Sequence, residues 1–410
     1  MTTVTRMTNR GVDALVASKA AGLKRAFPGA EVHVLTTDPE VNEAFLQKRG
    51  LPAHYDPYSE ERYRSFMYPG SRRWRLRNAT GYPKVLADLS KLARTFDLAV
   101  ATGGDNMSSD YGTPARYLAA LHQIADEGVP VAMLGQSIGP FREDRHRESF
   151  IGMARRCALI TVRETASHDY VLNDLKLPAD KVALTADTAF LLEPSSADWA
   201  EAAMRSFGLD PARPVIALSA SGGIAGFAAA DRDAHGAALA RLTARLLEET
   251  GAQVLLIPHV EDHRASNNDM IACDDVMRQM NYPDGLRLAR GFFTSNDYKA
   301  LVARCDMVVA ERMHVAIAGL SSGVATFVVG YSVKGHGIMS DCFGVDSRAD
   351  GLVVPLEDFI SDPGEDDKVM SVWARRDELA ATLRSRLPDI KAMAEKNYTL
   401  LRDAIGPQSK

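Results

Sequence analysis

The sequence predicts an α/β protein of two domains, each a doubly wound parallel sheet, facing each other across a cleft. Three observations predict it. Short apolar runs such as LAVAT, VAMLG, VLLIP and MVVAE recur without polar alternation, as strands covered on both faces do. Amphipathic helical stretches separate them, and this βαβα alternation belongs to an open sheet that binds ligands beyond the carboxyl ends of its strands. The chain has 410 residues, more than one hydrophobic core normally organises.

In chain order, the first helix is read from Val12, Leu15, Val16, Ala20, Leu23 and Phe27, which repeat at three- to four-residue spacing. Strands are expected at Glu31–Thr37, Asp97–Thr102, Val129–Gly135, Ala158–Arg163 and Lys181–Ala186. The turn formers EPSSADW and DPARP then mark a boundary. A second set of strands is expected at Pro214–Ala220, Gln253–Pro258, Asp306–Glu311 and Val324–Gly330, with a helix over Ala237–Leu247. The domains are therefore read as 1–195 and 196–375, with a helical segment at 376–410 packing back on the first domain.

Composition narrows the function. Hydrophobic residues are 46% and charged residues 25%, a globular mixture. The net charge of −5 and pI of 6.1 argue against a nucleic-acid partner. Cys157, Cys273, Cys305 and Cys342 are widely spaced, with no C-x-x-C, which argues against disulfide and zinc-ribbon scaffolds. No apolar run reaches the roughly 18 residues of a membrane-spanning helix, and MTTVTRMTNRG lacks a signal-peptide core. A cytoplasmic location is expected.

The sharpest motif is Glu311-Arg312-Met313-His314, between the apolar strand DMVVA and the helical pattern VAIAGL. A strand-to-helix turn brings backbone N–H groups and the positive end of the helix dipole to the ligand edge of a sheet. Arginine and histidine added there make an anion site with a group that titrates near neutrality; an arginine paired to Glu311 is the plainer alternative. Lys334, in YSVKGHG after the next strand, either reaches the same anion or lies in a surface loop. Ser221 and Gly222, in SASGG, form a candidate anion nest after the first strand of the second half. His259 and His263 sit four apart, but the H-E-x-x-H order is absent and Pro258 argues for a loop. No metal is assigned, and His259 is a candidate donor contact.

The first half offers Gly103, Gly104, Asp105 and Asn106 after one strand and Gln136 and Ser137 after the next. Tight glycine turns with polar side chains at two successive strand ends suggest an acceptor site for sugar hydroxyls. Arg163 ends a further strand and either faces the cleft or forms a local ion pair; Asp187 is placed similarly, or caps a helix. From Arg62 to Lys84 there are six arginines and no acidic residue, with aromatic residues interleaved. Such a run suits an anionic membrane surface or a diphosphate-linked lipid acceptor, stacked sugars, or a solvated loop.

Together these motifs resemble the polysaccharide pyruvyl transferase family. The residues that carry the resemblance are NRGVDAL at Asn9–Leu15, TGGDN at Thr102–Asn106, GQSIGPF at Gly135–Phe141, VRETASHDY at Val162–Tyr170, ADTAF at Ala186–Phe190 and ERMHVAIAGLSSGVATFVVGYSVKGHG at Glu311–Gly337. The chain departs from it at Gly11-Val12-Asp13-Ala14, where the family reads Gly-Asp-Glu-Ala, and in its polar start. The resemblance implies a GT-B-like fold, phosphoenolpyruvate as donor with no other cofactor, and a pyruvate ketal built on a sugar or glycolipid of the cell surface. It also implies that Arg312, Met313 and His314 contact the donor, with Arg163 assisting from the opposite domain. His314 is then the expected general acid, Arg312 a catalytic donor ligand, and Asp105 the expected base at the acceptor. A nucleotide-sugar glycosyltransferase, with Glu311 on a ribose, is the alternative enzyme. An oligomer and a peripheral membrane contact through the basic run are compatible with this reading.

Overall fold

The computed structural model describes residues 1–58, 82–109, 113–227, 231–330 and 333–406. It divides into two compact units: unit 1 is Met1–Met7, Leu15–Thr188 and Ala394–Lys410, and unit 2 is Thr8–Ala14 and Ala189–Met393. Most of the basic run from Arg62 to Lys84 lies outside the described residues. Among the described residues, no helix is long and apolar enough to cross a membrane.

In unit 1 the strands are β1 (Val34–Thr36), β2 (Ala53–Tyr55), β3 (Ala99–Ala101), β4 (Gly104–Met107), β5 (Val131–Ile138), β6 (Leu159–Val162) and β7 (Val182–Leu184). All pair in parallel: β1 with β2, and β3-β5-β6-β7 in a row, with β4 also along β5. The polar start of the chain has a structural role that its composition conceals. Thr2 bridges Ala101 and Val4 bridges Thr36, both in parallel, so the β-branched TTV lies between β1 and β3. Thr2 and Thr3 are buried, and the Thr3 hydroxyl meets that of Thr102 at 3.2 Å. The order is thus β2, β1, residues 2–4, β3, β5, β6, β7, a doubly wound sheet reversing between residues 2–4 and β3. Leu118 and Leu121 from Ala115–Asp126 and Phe150 and Met153 from Asp144–Arg156 join Val131, Met133 and Ile160 in its core.

Unit 2 has β8 (Val215–Ser219), β9 (Gln253–Leu256), β10 (Leu286–Leu288), β11 (Met307–Ala310), β12 (Ala325–Gly330) and β13 (Val353–Pro355) in the order β10-β9-β8-β11-β12-β13, all parallel. The winding reverses between β8 and β11, which makes the gap beyond their carboxyl ends the ligand position of such a sheet. The helix Met313–Ser321 lies close on β11 and β12 because Gly319 has no Cβ, which would stand 2.6 Å from Thr326 Oγ1 and 2.8 Å from Val308 Cγ2.

Every strand expected from sequence overlaps an observed one, and β5 runs three residues past its expected end at Gly135, to Ile138. Among the described residues the strands not expected, β2, β4, β10 and β13, are three or four residues long, too short to show periodicity. The unit limits also depart from the sequence division. Thr8–Ala14 groups with unit 2 because Asn9 bridges Val260, Arg10 N–H donates to His259 O at 3.0 Å, and Asp13 accepts from Ser295 N–H at 2.8 Å and its hydroxyl at 2.7 Å. Of the last helix, Arg376–Ile405, only Ala394 onward groups with unit 1. There Asn397 is fully buried, accepting from the Thr161 and Thr185 hydroxyls and donating to Ala186 O at 3.0 Å.

Candidate active site

The unit 2 site is built at the switch point between β8 and β11. Glu311 follows β11 directly and is buried, 4% exposed; its Oε2 accepts from Ser221 N–H at 2.6 Å and its Oε1 meets His235 Nε2 at 2.7 Å. Burial opposes the imidazolium of His235, but the charge of Glu311 and its hydrogen bond outweigh it and raise the pKa. Glu311 therefore holds unit 2 together internally, and its partner is not Arg312.

Arg312 is the N-cap residue of the helix Met313–Ser321. Its Nε donates to Asp269 Oδ2 at 3.0 Å and its Nη2 to Asp269 Oδ1 at 2.5 Å and Asn267 Oδ1 at 3.3 Å. This fork-to-fork pairing fixes the plane of the guanidinium, whose side chain remains 14% exposed. Asp269 is wholly buried and also accepts from Gly222 N–H and Val260 N–H, each at 2.9 Å. Burial drives its pKa up, and Arg312 with the two backbone donors pulls against that shift without cancelling it.

The Ser221-Gly222 amides assigned from sequence to a donor anion are thus committed to Glu311 and Asp269. Gly222 is a glycine for packing: a Cβ would stand 2.5 Å from Asn268 O. His259 is buried, and its pKa lies well below the ordinary value, first through desolvation and then through the neighbouring His314, Arg10 and Arg312. The neutral imidazole lies against the Tyr298 ring, centroids 5.7 Å apart, while His263 is exposed beside Asp262. His314 is half-buried, with its ring against Gly11, and Met313 Cε packs toward Gly335. Lys334 is in the first turn of the helix Val333–Phe343; its side chain lies outside the described residues.

In unit 1, Gly103 and Gly104 both have positive φ, 86° and 82°, and a Cβ on Gly103 would stand 2.6 Å from Leu134 O. This left-handed pair turns the chain sharply into β4, leaving Asp105 and Asn106 half-buried. Asn106 donates to Thr3 O at 3.1 Å. Arg163 is buried: Nε donates to Ser137 Oγ at 2.7 Å, Nη1 to Asp187 Oδ2 at 2.6 Å, and Nη2 to Asp105 Oδ1 at 2.9 Å. Burial would lower its pKa, but Asp105, Asp187 and Glu164 raise it further.

Three sequence assignments change here. Arg163 is the local ion pair rather than a guanidinium presented to a ligand. Gln136 and Ser137 are inside β5 and fully buried, because pairing with β4 carries β5 on to Ile138. Ser137 donates to Glu164 at 2.9 Å, and Gln136 donates to Ala101 O at 3.3 Å. Asp105, with its side chain 21% exposed, is where this network reaches the surface.

Sequence reasoning missed Asp269, Arg10 and Lys19. Lys19 is fully buried, donates to Thr188 Oγ1 at 2.8 Å, and has its pKa lowered to about 7 by desolvation, partly offset by Asp187 and reinforced by Arg163. A signal existed for it: Lys19 falls on the apolar stripe of its own helix, four residues after Leu15 and three after Val16. Asp269 had none, since its partner lies 43 residues away.

Comparison with known proteins sets this geometry in a family. The chain is similar to the amylovoran biosynthesis protein AmsJ of Erwinia amylovora, 22% identical over 292 residues that cover 66% of this chain and 67% of that one. Among solved structures it resembles Anabaena Alr3699/HepE in complex with UDP-glucose, with a TM-score of 0.60, 11% identity, and coverage of 95% and 96%. It also resembles UDP-GlcNAc 2-epimerase from Neisseria meningitidis bound to UDP-GlcNAc, with a TM-score of 0.56, 13% identity, and coverage of 99% of both chains. At such identities these likenesses establish the fold alone, which is GT-B-like with two Rossmann-like units. The model of the family described as polysaccharide pyruvyl transferase matches residues 9–333, a span that takes in Asp105, Arg163, Asp269 and the Arg312–His314 turn. The chain therefore belongs to the polysaccharide pyruvyl transferase family and is a pyruvyltransferase of polysaccharide biosynthesis.

Proposed function

We propose that the enzyme takes its pyruvyl group from phosphoenolpyruvate and joins it to two hydroxyls of one sugar as a ketal. The observation that carries this reading is the placement of a fixed guanidinium, Arg312, and an imidazole, His314, at the start of the helix Met313–Ser321, beyond the switch point of unit 2. A phosphate monoester with a carboxylate carries roughly 2.5 to 3 negative charges at neutral pH. One cation at 4 Å contributes about 4 kcal/mol at an effective dielectric near 20, before desolvation. Arg312 is assigned to the donor with the helix N-terminus, Lys334 supplying further charge and Met313 packing beside it. His259, held neutral, adds a dipole without repelling that charge.

In the proposed reaction His314 gives a proton to the donor's methylene carbon, and positive charge develops at the adjacent carbon. A sugar hydroxyl attacks there and its proton passes to a base, assigned to Asp105 at the turn opened by Gly103 and Gly104, beside Asn106. Phosphate departs with the electron pair of its C–O bond, and the second hydroxyl closes the ring on the carbon so vacated, its proton leaving on the released phosphate. Arg163, Ser137 and Gln136 position Asp105 and its strand from beneath.

A nucleotide-sugar donor is less well supported. The carboxylate that a ribose would need, Glu311, is buried with both oxygens engaged by Ser221 and His235. The test is incubation with phosphoenolpyruvate and a panel of 4-nitrophenyl glycosides of the common hexoses, following phosphate release and product mass. Release without a ketal product, or stabilisation by UDP or GDP but not by phosphoenolpyruvate, refutes the assignment.

A further inference from the structure

Gly11 is the second residue of the helix Arg10–Ala26, a position where alanine is better than glycine by roughly 0.5–1 kcal/mol. Its backbone is not left-handed, so conformation does not demand a glycine. Space does. A Cβ at position 11 would stand 2.4 Å from Nδ1 and 2.9 Å from Cγ of His314, and 3.1 Å from Asn9 Oδ1. Real Cβ contacts are essentially never under 3.0 Å, so either the turn or the imidazole must yield.

The turn is pinned. Arg10 is 1% exposed; its Nε donates to Phe293 O at 2.5 Å, its Nη1 to Thr8 O at 2.7 Å and its Nη2 to Glu261. Glu261 N–H donates back to Thr8 O at 3.0 Å, and Gly11 N–H donates to Asn9 Oδ1 at 2.9 Å. Asp13, two residues on, is buried and accepts from both donors of Ser295. Moving the turn would break these bonds together, and several are charge-assisted. Turning one imidazole costs far less.

We propose that Gly11 is a positioning residue for His314: the missing side chain is the space that the Nδ1 edge of the ring occupies, and the Arg10–Glu261 and Asp13–Ser295 bonds hold that space open. The role rests on the reading of His314 as the proton donor. The carboxylate that anchors the turn is Asp13.

A Cβ at position 11 needs about 1 Å of clearance from the ring to reach ordinary contact distance, and misplacement of that size is worth on the order of 10²-fold in rate. The experiment compares Gly11→Ala, His314→Ala and the double variant by phosphate release from phosphoenolpyruvate over the 4-nitrophenyl glycoside panel. It also follows the His314 ring Cε1–H signal in NMR spectra, assigned by its loss in His314→Ala. Gly11→Ala is expected to lose about 10²-fold in kcat with a nearly unchanged KM for phosphoenolpyruvate and an unchanged Tm, and to shift the His314 signal. In the His314→Ala background the same change is expected to cost nothing more. Wild-type turnover in Gly11→Ala with an unshifted ring signal overturns the proposal, as does a double variant well below His314→Ala. A fully active His314→Ala enzyme would instead remove the proton-donor reading, and an unmoved ring signal would still decide the seating of the imidazole by itself.

Discussion

Arg312 and Asp269 form the interaction in which structure and chemistry are most tightly joined, and a double-mutant cycle separates them. Removing the guanidinium in Arg312→Ala leaves a wholly buried carboxylate with two backbone donors and no countercharge. Breaking a buried pair from one side costs about 3–5 kcal/mol. For a unit of this size each kcal/mol moves Tm by about 2–4 °C, so a fall of roughly 6–20 °C is expected at pH 7.5. The loss should depend on pH with a definite sign. Burial already holds the Asp269 pKa above 3.8, and Arg312 is the main influence pulling it down. Without Arg312 it rises further, so the native state binds a proton that the unfolded chain releases, and stability falls as pH rises above about 4. Arg312→Ala should therefore lose less at pH 5 than at pH 7.5. Asp269→Asn combined with the same Arg312→Ala removes both charges, and its loss of stability should fall short of the sum of the two single losses by about 2–3 kcal/mol. Thermal unfolding at the two pH values gives the cycle, and calorimetry with phosphoenolpyruvate gives the function. The double variant should be folded and unable to bind the donor. Additivity within about 0.5 kcal/mol would refute the coupling; wild-type donor affinity in the double variant would refute the role of Arg312.

Three further outcomes follow from the packing. Lys19 has its pKa lowered from 10.5 to about 7, so between those values the unfolded chain binds more protons and stability rises with pH; Lys19→Met should flatten the rise in urea midpoint from pH 7 to 9, leaving the share of the similarly depressed Lys299, and an unchanged slope contradicts the assignment. Arg163→Met strands the buried Asp187 and Glu164 carboxylates and should cost about 3–5 kcal/mol in urea unfolding; a loss below 1 kcal/mol would show that the network is not held by its central charge. Gly222→Ala drives a Cβ to 2.5 Å from Asn268 O and should cost about 1–3 kcal/mol, with a higher KM for phosphoenolpyruvate through displacement of Asp269; equal Tm and KM would place no constraint on that loop.

What the sequence alone determined were the properties that are local along the chain. Strands such as Val215–Ser219 and Met307–Ala310 were legible because burial on both faces selects unbroken apolar runs. The turn at Arg312–His314 was legible because a strand end, a helix start and two basic side chains adjoin within four residues. The tertiary structure decided what lies between distant segments. Whether Arg312 pairs with Glu311 or with Asp269, 43 residues away, is settled by the loop that β9 feeds across the switch point, and no spacing encodes that. Gln136 and Ser137 looked presentable in sequence, yet are buried because pairing with the short β4 carries β5 past Gly135. The threonines that open the chain read as polar and became buried strand-like residues, since a β-branched hydroxyl can satisfy its hydrogen bond across a sheet and still be covered. Residue type and spacing mark where chemistry is concentrated; which charge each group meets depends on distance in space, where Coulomb and desolvation energies act.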